Sequence, residues 1–255
     1  MNVREFHNEL TKLYPRELSC PWDNDGIMVC GDLSAEVKRV AVSLDASFEA
    51  VCHAAETEAD LLLTHHPMLF RGTKSVTDEN PGGHRIIKSL RNGLSVISLH
   101  TRLDAGDGGV NDCLAEALGL KVIGKFGDEE APGLGRIALT EPVTGKELAE
   151  RVRDSLGSGA VRFTGDTGKR ISTVGLCGGD GKDFLQAAAA AGCDAYITGD
   201  AGYNAAQDIS EEGLCVIEAG HYHSEAPVCK RLAELAEKLC GAETYIFDSC
   251  AYRII

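Results

Sequence analysis

The sequence lacks several features that mark common classes of protein. None of its 10 cysteines forms a CxxC pair, which argues against a zinc ribbon or a thioredoxin-type redox motif. No apolar stretch approaches the roughly 20 residues that are needed to span a bilayer. The start, MNVREFHNEL, has apolar residues at helical spacing and no continuous hydrophobic run. We therefore expect a cytoplasmic protein with reduced thiols, without a signal peptide or membrane partner.

Basic residues are also scarce. The chain has 25 lysines and arginines against 39 acidic residues, which gives a net charge of −14. A surface that is so acidic repels nucleic acid and anionic lipid, and no basic cluster provides a local exception. We expect no nucleic-acid partner. An anionic small molecule could bind only where bound cations reverse the local field.

Strand-like and helix-like stretches alternate along the 255 residues. Apolar residues make up 44% of the chain, enough to bury a core without disulfides. The predicted strands cover residues 39–45, 60–65 and 94–100, and the predicted helices cover residues 47–59, 84–93 and 109–119. Because strands that alternate with helices usually form parallel pairs, the pattern predicts an α/β protein with largely parallel sheet.

Two parts of the chain resemble one another. Residues 40–66 align without a gap with residues 174–200. Residues 93–104 align with residues 213–225, where the second segment has one extra residue before its histidine. Any two βαβ units share strands rich in Val, Ile and Leu, so apolar matches alone carry little weight. Here the polar residues at the strand ends also correspond, which favours an internal duplication.

The repeat predicts two related three-layer-like α/β halves with largely parallel sheets and a metal site between them. The first half is expected over residues 1–126 and the second over residues 127–255. The stretch GDEEAPGLG, residues 127–135, is the predicted seam because it contains glycine and proline. The sequence leaves open whether the C-terminal helix packs back on the first half.

Side chains of metal-binding type follow the predicted strands, where α/β sheets usually bind their ligands. Four strand ends carry candidates, namely His65 with His66, His100 with Asp104, the segment 198–200, and His221 with Glu225. In LLLTHHPMLF, two adjacent neutral imidazoles at the end of the predicted strand suit metal binding, whereas two charged rings would repel one another. Three histidines and two carboxylates can hold two divalent ions with a bridging carboxylate and a water between them.

Each of these candidates also has an ordinary interpretation. The histidine pair could lie on the surface in a turn. His100 and Asp104 could form a hydrogen bond that supports a ligand without binding metal. His221 and Glu225 flank the predicted start of the last helix, where Ser224 can cap the helix and a glutamate complements its dipole. Each candidate alone is weak evidence for metal binding, but together they favour a metal site.

Other familiar motifs are incomplete. GLCGGDGKD (175–183) follows a strand and opens a helix, but Leu176 replaces the first glycine of a phosphate loop and Asp183 replaces the Ser or Thr. WDNDG (22–26) lacks the carboxylate spacing and the distal glutamate of a calcium loop. No GxSxG elbow and no Ser–His or Cys–His arrangement emerges, which leaves water as the available nucleophile.

The remaining motifs resemble those of the Nif-three-like dinuclear metal proteins, which are often labelled GTP cyclohydrolase I type 2 homologues. The resemblance rests on WDNDGIMVCGD, LLLTHHPMLF, SLHTRLDAGDGGVND, DAYITGD and GHYHSE, in the same order along nearly the whole chain. It implies two α/β domains, a short form without the inserted domain of longer members, and a ring-shaped homohexamer. The family often has a histidine where this chain has Asn204.

The resemblance also implies which residues bind metal. The implied ligands of two divalent ions per chain are His65, His66, Asp104, His221 and Glu225. His100 is implied to lie close by. Imidazole and carboxylate ligands suit zinc, iron, manganese or nickel, so the sequence does not specify the metal.

We predict a metal-dependent hydrolase that acts on a small molecule through a metal-bound hydroxide, with Glu225 and Asp104 as the catalytic carboxylates. The candidates for a substrate-side or supporting role are His100, Arg102, Asp200, Tyr203 and Asn204. The alternative is a non-catalytic metal carrier or a metal-responsive regulatory protein, because the same ligands can deliver or sense metal. A purely structural site is the least favoured, since such sites are rich in thiolate and the candidate ligands include no cysteine.

Overall fold

The computed structural model describes residues 1–248 and 250–255. Helices and strands interleave along the chain, which confirms the predicted α/β class. The chain forms two compact units, of which unit 1 is Met1–Leu103 with Val228–Ala251 and unit 2 is Asp104–Pro227 with Tyr252–Ile255. Within the described residues, no helix is both long enough and apolar enough to cross a membrane.

Unit 1 contains, among the described residues, a sheet of five strands. The strands are β1 (Gly26–Val29), β2 (Arg39–Ser43), β3 (Leu61–Thr64), β4 (Ser95–Ser98) and β11 (Glu243–Ile246). Their spatial order is β1-β4-β3-β2-β11, and only β1 pairs antiparallel in this part of the structure. Strand β3 is buried along its whole length, which its sequence LLLT predicts for a parallel strand covered on both faces.

Helices cover both faces of the unit 1 sheet. They are α1 (Val3–Leu13), α2 (Phe48–Glu56), α3 (Pro81–Arg91) and α10 (Val228–Cys240). The short helix α4 (Thr101–Ala105) follows β4. Helices α2 and α3 share a core with Ala41, Leu62 and Val96, which lie on one face because side chains alternate along a strand. Helix α10 packs on β2 and β3, and α1 packs on α10. The C-terminal helix is therefore part of unit 1.

Unit 2 contains a mixed sheet, with six strands in the part of the chain described. The strands are β5 (Lys121–Phe126), β6 (Gly135–Thr144), β7 (Arg162–Thr164), β8 (Arg170–Asp180), β9 (Ala195–Asp200) and β10 (Cys215–Glu218). Their spatial order is β5-β6-β8-β9-β10-β7. Strands β8, β9 and β10 pair in parallel, whereas β5, β6 and β7 pair antiparallel with their neighbours. The predicted parallel character thus describes unit 1 better than unit 2.

The helices of unit 2 are α5 (Val110–Ala117), α6 (Gly145–Leu156), α7 (Leu185–Ala190), α8 (Tyr203–Glu211) and α9 (His221–Glu225). Leu114 of α5 and Leu148 of α6 pack in one core with inward-facing residues of the sheet, such as Leu176 and Ile197. This apolar layer supports β10, the strand that leads into the helix with His221 and Glu225.

The predicted division after residue 126 differs from the division into units. The supposed seam at residues 127–135 connects β5 to β6, which pair directly through Phe126 and Gly135. Within it, the carboxylate of Asp128 accepts hydrogen bonds from two backbone N–H groups of the turn. Glycine, proline and aspartate therefore form a hairpin connection inside unit 2, since the same residue types suit tight turns and linkers alike.

The two units share a polar feature as well as apolar strands. In unit 1, one oxygen of Asp60 accepts hydrogen bonds from the N–H of Arg39 (2.9 Å) and from that of the preceding residue. In unit 2, one oxygen of Asp194 accepts from the N–H of Thr173 (3.0 Å) and from that of the preceding residue. The two carboxylates, and the residues that donate to them, are separated along the sequence by the same number of residues as the two aligned segments. The structure therefore supports the predicted duplication.

Candidate metal centre

Three histidines come together at the carboxyl end of the unit 1 sheet. His65 and His66 directly follow β3, and His100 follows β4, the parallel neighbour of β3. One ring nitrogen of each of the three lies within 4.8 Å of the others. Parallel neighbours end at the same edge of a sheet, so the convergence predicted for these residues follows from the topology.

Oxygen acceptors orient the adjacent pair. Nδ1 of His65, a fully buried residue, donates to the carbonyl oxygen of Leu99 (2.9 Å). Nδ1 of His66 donates to Oδ1 of Asp45 (2.7 Å). Because carbonyl and carboxylate oxygens only accept, the proton of each neutral ring lies on Nδ1 and the lone pair lies on Nε2. This arrangement is typical of histidines that bind metal.

A buried acid holds His100 in the same way. Nδ1 of His100 donates to Oδ1 of Asp23 (2.7 Å), and Oδ2 of Asp23 accepts from the N–H of Thr101 (2.9 Å) and from its hydroxyl. Burial alone would raise the pKa of Asp23, but the hydrogen bonds from His100 and from Thr101 outweigh it and lower the pKa to about 2. Asp23 is therefore ionised, and Nε2 is the nitrogen that His100 offers to a ligand.

Arg102, which the sequence offered for a substrate-side or a supporting role, lies in a buried ion pair. Its Nε and Nη2 donate to the two oxygens of Asp25 at 2.9 Å and 2.8 Å. Both side chains are only 1% exposed, so the guanidinium is enclosed and cannot reach a substrate. Sequence reasoning missed Asp23 and Asp25 because their partners lie 77 residues further along the chain.

Unit 2 places His221 and Glu225 one helical turn apart on α9, where residues four apart share a face. Nε2 of His221 lies 3.4 Å from Oε2 of Glu225, which is buried. Nδ1 of His221 donates to Oδ2 of Asp200 (3.1 Å), the last residue of β9. Asp200 thus holds His221 as Asp45 holds His66, which gives Asp200 a supporting role.

Glycines of β8 provide the space for this group. A Cβ on Gly179 would lie 2.2 Å from Oε1 of Glu225 and 3.3 Å from Nε2 of His221. Gly179 also has a φ of +66°, which residues with a side chain rarely adopt. The glycines of GLCGGDGKD therefore leave room for two candidate ligands, which explains why the stretch resembles a phosphate loop only in part.

Ser224 does not cap the last helix, which was part of the ordinary interpretation of this segment. Helix α9 ends at Glu225, and α10 begins only at Val228, after Pro227. The Ser224 hydroxyl instead donates to the carbonyl of His221 (2.8 Å) and accepts from the N–H of Gly179 (3.0 Å). It therefore joins α9 to β8.

Asp104 is 8% exposed, and the chain that follows it is tightly fixed. Arg136, which is fully buried, donates from Nη2 to the carbonyls of Ala105 (3.2 Å) and Gly106 (2.8 Å). Its Nε donates to Oδ1 of Asp112 (2.8 Å). Arg136 was missed from the sequence, because nothing in the local pattern of β6 marks it as an anchor for a distant turn.

The last two substrate-side candidates lie on α8. Tyr203 is 81% exposed and lines a cavity of about 460 Å³ together with Arg162 and Glu218. Asn204, beside it, is also exposed. Glu218, which was not predicted, is buried and accepts hydrogen bonds from Nη2 of Arg162 (3.0 Å) and from the N–H of Ala201 (2.9 Å). It therefore fixes the loop after β9.

The side chains described here suit a divalent metal. His65, His66 and His100 form one group that can hold an ion, and Asp104, His221 and Glu225 belong to further groups of this kind. Imidazole nitrogens with oriented protons and buried carboxylates are common donors to divalent transition metals. The fold and these residues together define a mixed α/β protein with a candidate metal centre.

Comparison with known proteins gives the family. The model of the family Duf34/NIF3 (NGG1p interacting factor 3) matches residues 1–250, and the chain belongs to this family. A protein of Clostridium perfringens named GTP cyclohydrolase 1 type 2 homolog is 34% identical over 238 residues, which cover 92% of this chain and 90% of the relative. The resemblance noted in the sequence is thereby confirmed.

Solved structures share the fold. Staphylococcus aureus protein SA1388 superposes with a TM-score of 0.92 at 24% identity, covering 100% of this chain and 99% of that chain. The structure described as reduced HcgD from Methanocaldococcus jannaschii gives a TM-score of 0.82 at 25% identity and covers 96% of this chain and 97% of that chain. The two-sheet architecture is therefore common to these proteins.

Proposed function

We propose that this protein binds two divalent metal ions and uses them to hydrolyse a small molecule. The proposed ligands are His65, His66, Asp104, His221 and Glu225. The observation that carries the proposal is that every histidine of this set, and His100 as well, donates from Nδ1 to an oxygen acceptor. Such bonds fix the ring and make Nε2 more basic, and they are usual for histidines that bind metal.

Bound divalent ions supply the Lewis acidity that makes water a competent nucleophile near neutral pH. The residues of the chain have separate tasks around them. The histidines would hold the ions, while Asp45 and Asp200 keep two of the rings in place. Asp104 and Glu225 add negative charge from buried positions, where water screens it weakly.

The overall charge of the chain bears on the substrate. With a net charge of −14, the protein attracts a negatively charged molecule only where metal ions lie. We therefore favour substrates with a phosphate or a ring amide, whose oxygens can approach such ions. The name of the Clostridium perfringens relative, GTP cyclohydrolase 1 type 2 homolog, points to the same general type of reaction.

Elemental analysis of protein purified without added metal tests the binding half of the proposal. Wild type should carry about two divalent ions per chain. His65→Ala and Asp104→Ala should lose most of the metal and keep the fold. His84→Ala is the matched control, because His84 is exposed on α3 and packs on Phe48. Wild type without stoichiometric metal, even after reconstitution, would contradict the proposal.

A panel of phosphoesters, amides and nucleotides tests the catalytic half. Metal-loaded wild type should turn over at least one class, should lose activity with a chelator and should regain it with metal. Glu225→Gln, which keeps the shape but removes a charge, should abolish turnover. A loaded protein that hydrolyses nothing and passes its metal to an acceptor protein would favour the carrier instead.

A further inference from the structure

Three aromatic rings form an open corner in unit 1. The ring centroids of Trp22 and Phe70 lie 6.1 Å apart with an interplanar angle of 79°. The ring of His100 lies 6.4 Å from Trp22 and 5.7 Å from Phe70, at 72° and 82°. We call these three residues the aromatic corner. Because its rings stand nearly perpendicular to one another, each edge-on contact leaves ring faces available for a further partner.

The two larger rings of the aromatic corner are exposed to an unusual degree. Trp22 is 57% exposed and Phe70 is 44% exposed. Single exposed apolar side chains are common on protein surfaces, but these two pack on each other and on a histidine whose ring nitrogen lies within 4.8 Å of those of His65 and His66. Large aromatic side chains placed beside a polar group are typical of small-molecule sites.

Hydrogen bonds hold the aromatic corner in place. The side-chain amide of Asn24 donates to the carbonyl of Leu69, which joins the segment of Trp22 to the segment of Phe70. Asp23 binds Nδ1 of His100. The polar residues of WDNDG are thus engaged in positioning, while the tryptophan projects outwards. A site that is ordered in advance loses little entropy when a ligand binds.

We propose that the aromatic corner binds a flat ring of the substrate and holds it next to His65 and His66. A flat ring can stack on one face of the corner and meet the other rings edge-on, which a puckered ring cannot do. Aromatic faces also attract organic cations. A cation is disfavoured here because the adjoining histidines would hold metal ions. The position of the ring beside bound metal rests on the proposed function. The preference for a flat ring over a puckered one does not depend on metal.

The fluorescence of Trp22 provides the test, since it is the single tryptophan of the chain. The full-length protein is titrated with phenylphosphonate and with cyclohexylphosphonate, which carry the same charge and number of carbons but differ in flatness. Phenylphosphonate should change the emission saturably and bind about threefold to tenfold more tightly than its cyclohexyl counterpart, the range expected for aromatic contacts.

Two variants locate the effect. Phe70→Leu keeps apolar bulk but removes a ring, so it should lose most of the preference for phenylphosphonate. Phe48→Leu is the control, because Phe48 is 40% exposed and packs on His84 at 4.3 Å, much as Phe70 packs on His100. The control should bind both phosphonates as wild type does.

Four results would overturn the inference. They are equal affinity for the two phosphonates, a preference for phenylphosphonate that is unchanged in Phe70→Leu, a response of Trp22 to tetramethylammonium as large as that to phenylphosphonate, and a Trp22 emission that changes with protein concentration but not with ligand. The last would identify a contact between copies of the chain. Metal content measured on the same samples separates the two proposals. If the protein binds stoichiometric metal but shows no preference for phenylphosphonate, only the proposal for the aromatic corner is contradicted. If it prefers phenylphosphonate but binds no metal, only the proposed function is contradicted.

Discussion

At the scale of single residues, a histidine binds metal through a ring nitrogen that carries no proton, and it binds more tightly when its ring is already oriented. Acidic side chains orient two of the candidate ligands. Asp45 holds His66 at 2.7 Å, and Asp200 holds His221 at 3.1 Å. Because each bond is charge-assisted, it also makes the opposite nitrogen a better donor to a cation.

The first prediction concerns Asp45. Asp45→Ala removes the acceptor on Nδ1 of His66, so the affinity for metal should fall about 10- to 100-fold. Competition against a colorimetric chelator measures this. Asp32→Ala is the control, since Asp32 is an exposed acid whose carboxylate, in the hydrogen bonds described, bonds only to nearby Ser34. An affinity in Asp45→Ala equal to that of the control would show that His66 does not depend on this bond.

The second prediction concerns the buried pair of Arg102 and Asp25. Arg102→Ala leaves the carboxylate without its charged partner, so the free energy of unfolding should fall by about 3–5 kcal/mol. Urea denaturation measures this. The exposed pair of Lys12 and Glu9 has a similarly short contact of 2.6 Å, yet Lys12→Ala should change little because water screens the pair. Similar losses in both variants would contradict the argument from burial.

At the scale of elements, β8 and α9 must approach closely for Glu225 to be enclosed. The third prediction uses this contact. Gly179→Ala should displace Glu225 and lower metal affinity, because the added Cβ would lie 2.2 Å from its carboxylate oxygen. Gly192→Ala separates crowding from backbone strain. Gly192 has a φ of +78°, and apart from its chain neighbours no atom of the described residues lies within 4 Å of an added Cβ.

Both glycine variants should lose about 1–2 kcal/mol of stability from the left-handed backbone conformation. Only Gly179→Ala should also lose metal. Thermal unfolding measures the first effect and elemental analysis the second. Equal metal content in the two variants would show that the space at Gly179 is not needed for binding.

The elements themselves were predictable where hydrophobic periodicity is strong. The helix predicted over residues 47–59 is α2 (Phe48–Glu56), and the strand predicted over residues 60–65 is β3 (Leu61–Thr64). Strands β5 and β7 escaped prediction. Strand β5 is largely exposed and β7 has three residues, so neither carries the apolar run of a buried strand.

At the scale of the whole molecule, metal binding and folding should be coupled. A metal that binds only the native protein stabilises it by about 2.7 kcal/mol at a hundredfold excess over its dissociation constant. The fourth prediction is that a chelator lowers the Tm of wild type and leaves the Tm of His65→Ala unchanged. Differential scanning calorimetry checks it. A chelator effect of the same size in both proteins would point to metal bound elsewhere.

The fifth prediction concerns assembly. On the family resemblance alone, we propose a homohexamer. Light scattering on the full-length protein at micromolar concentration should give the mass of six chains. A mass that corresponds to a stable monomer would contradict the proposed hexamer.

The α/β class and the candidate ligands could be predicted before the fold was known, because alternating apolar segments and histidines at strand ends are local patterns, and the order of the motifs indicated the family. The fold was needed to show which acids hold those histidines, that Arg102 is enclosed with Asp25, and that residues 127–135 form a hairpin connection. These features depend on which distant segments meet. Carboxylates and turn residues are too common for their positions in the chain to reveal their partners, and the burial that encloses Arg102 exists only once the chain has folded.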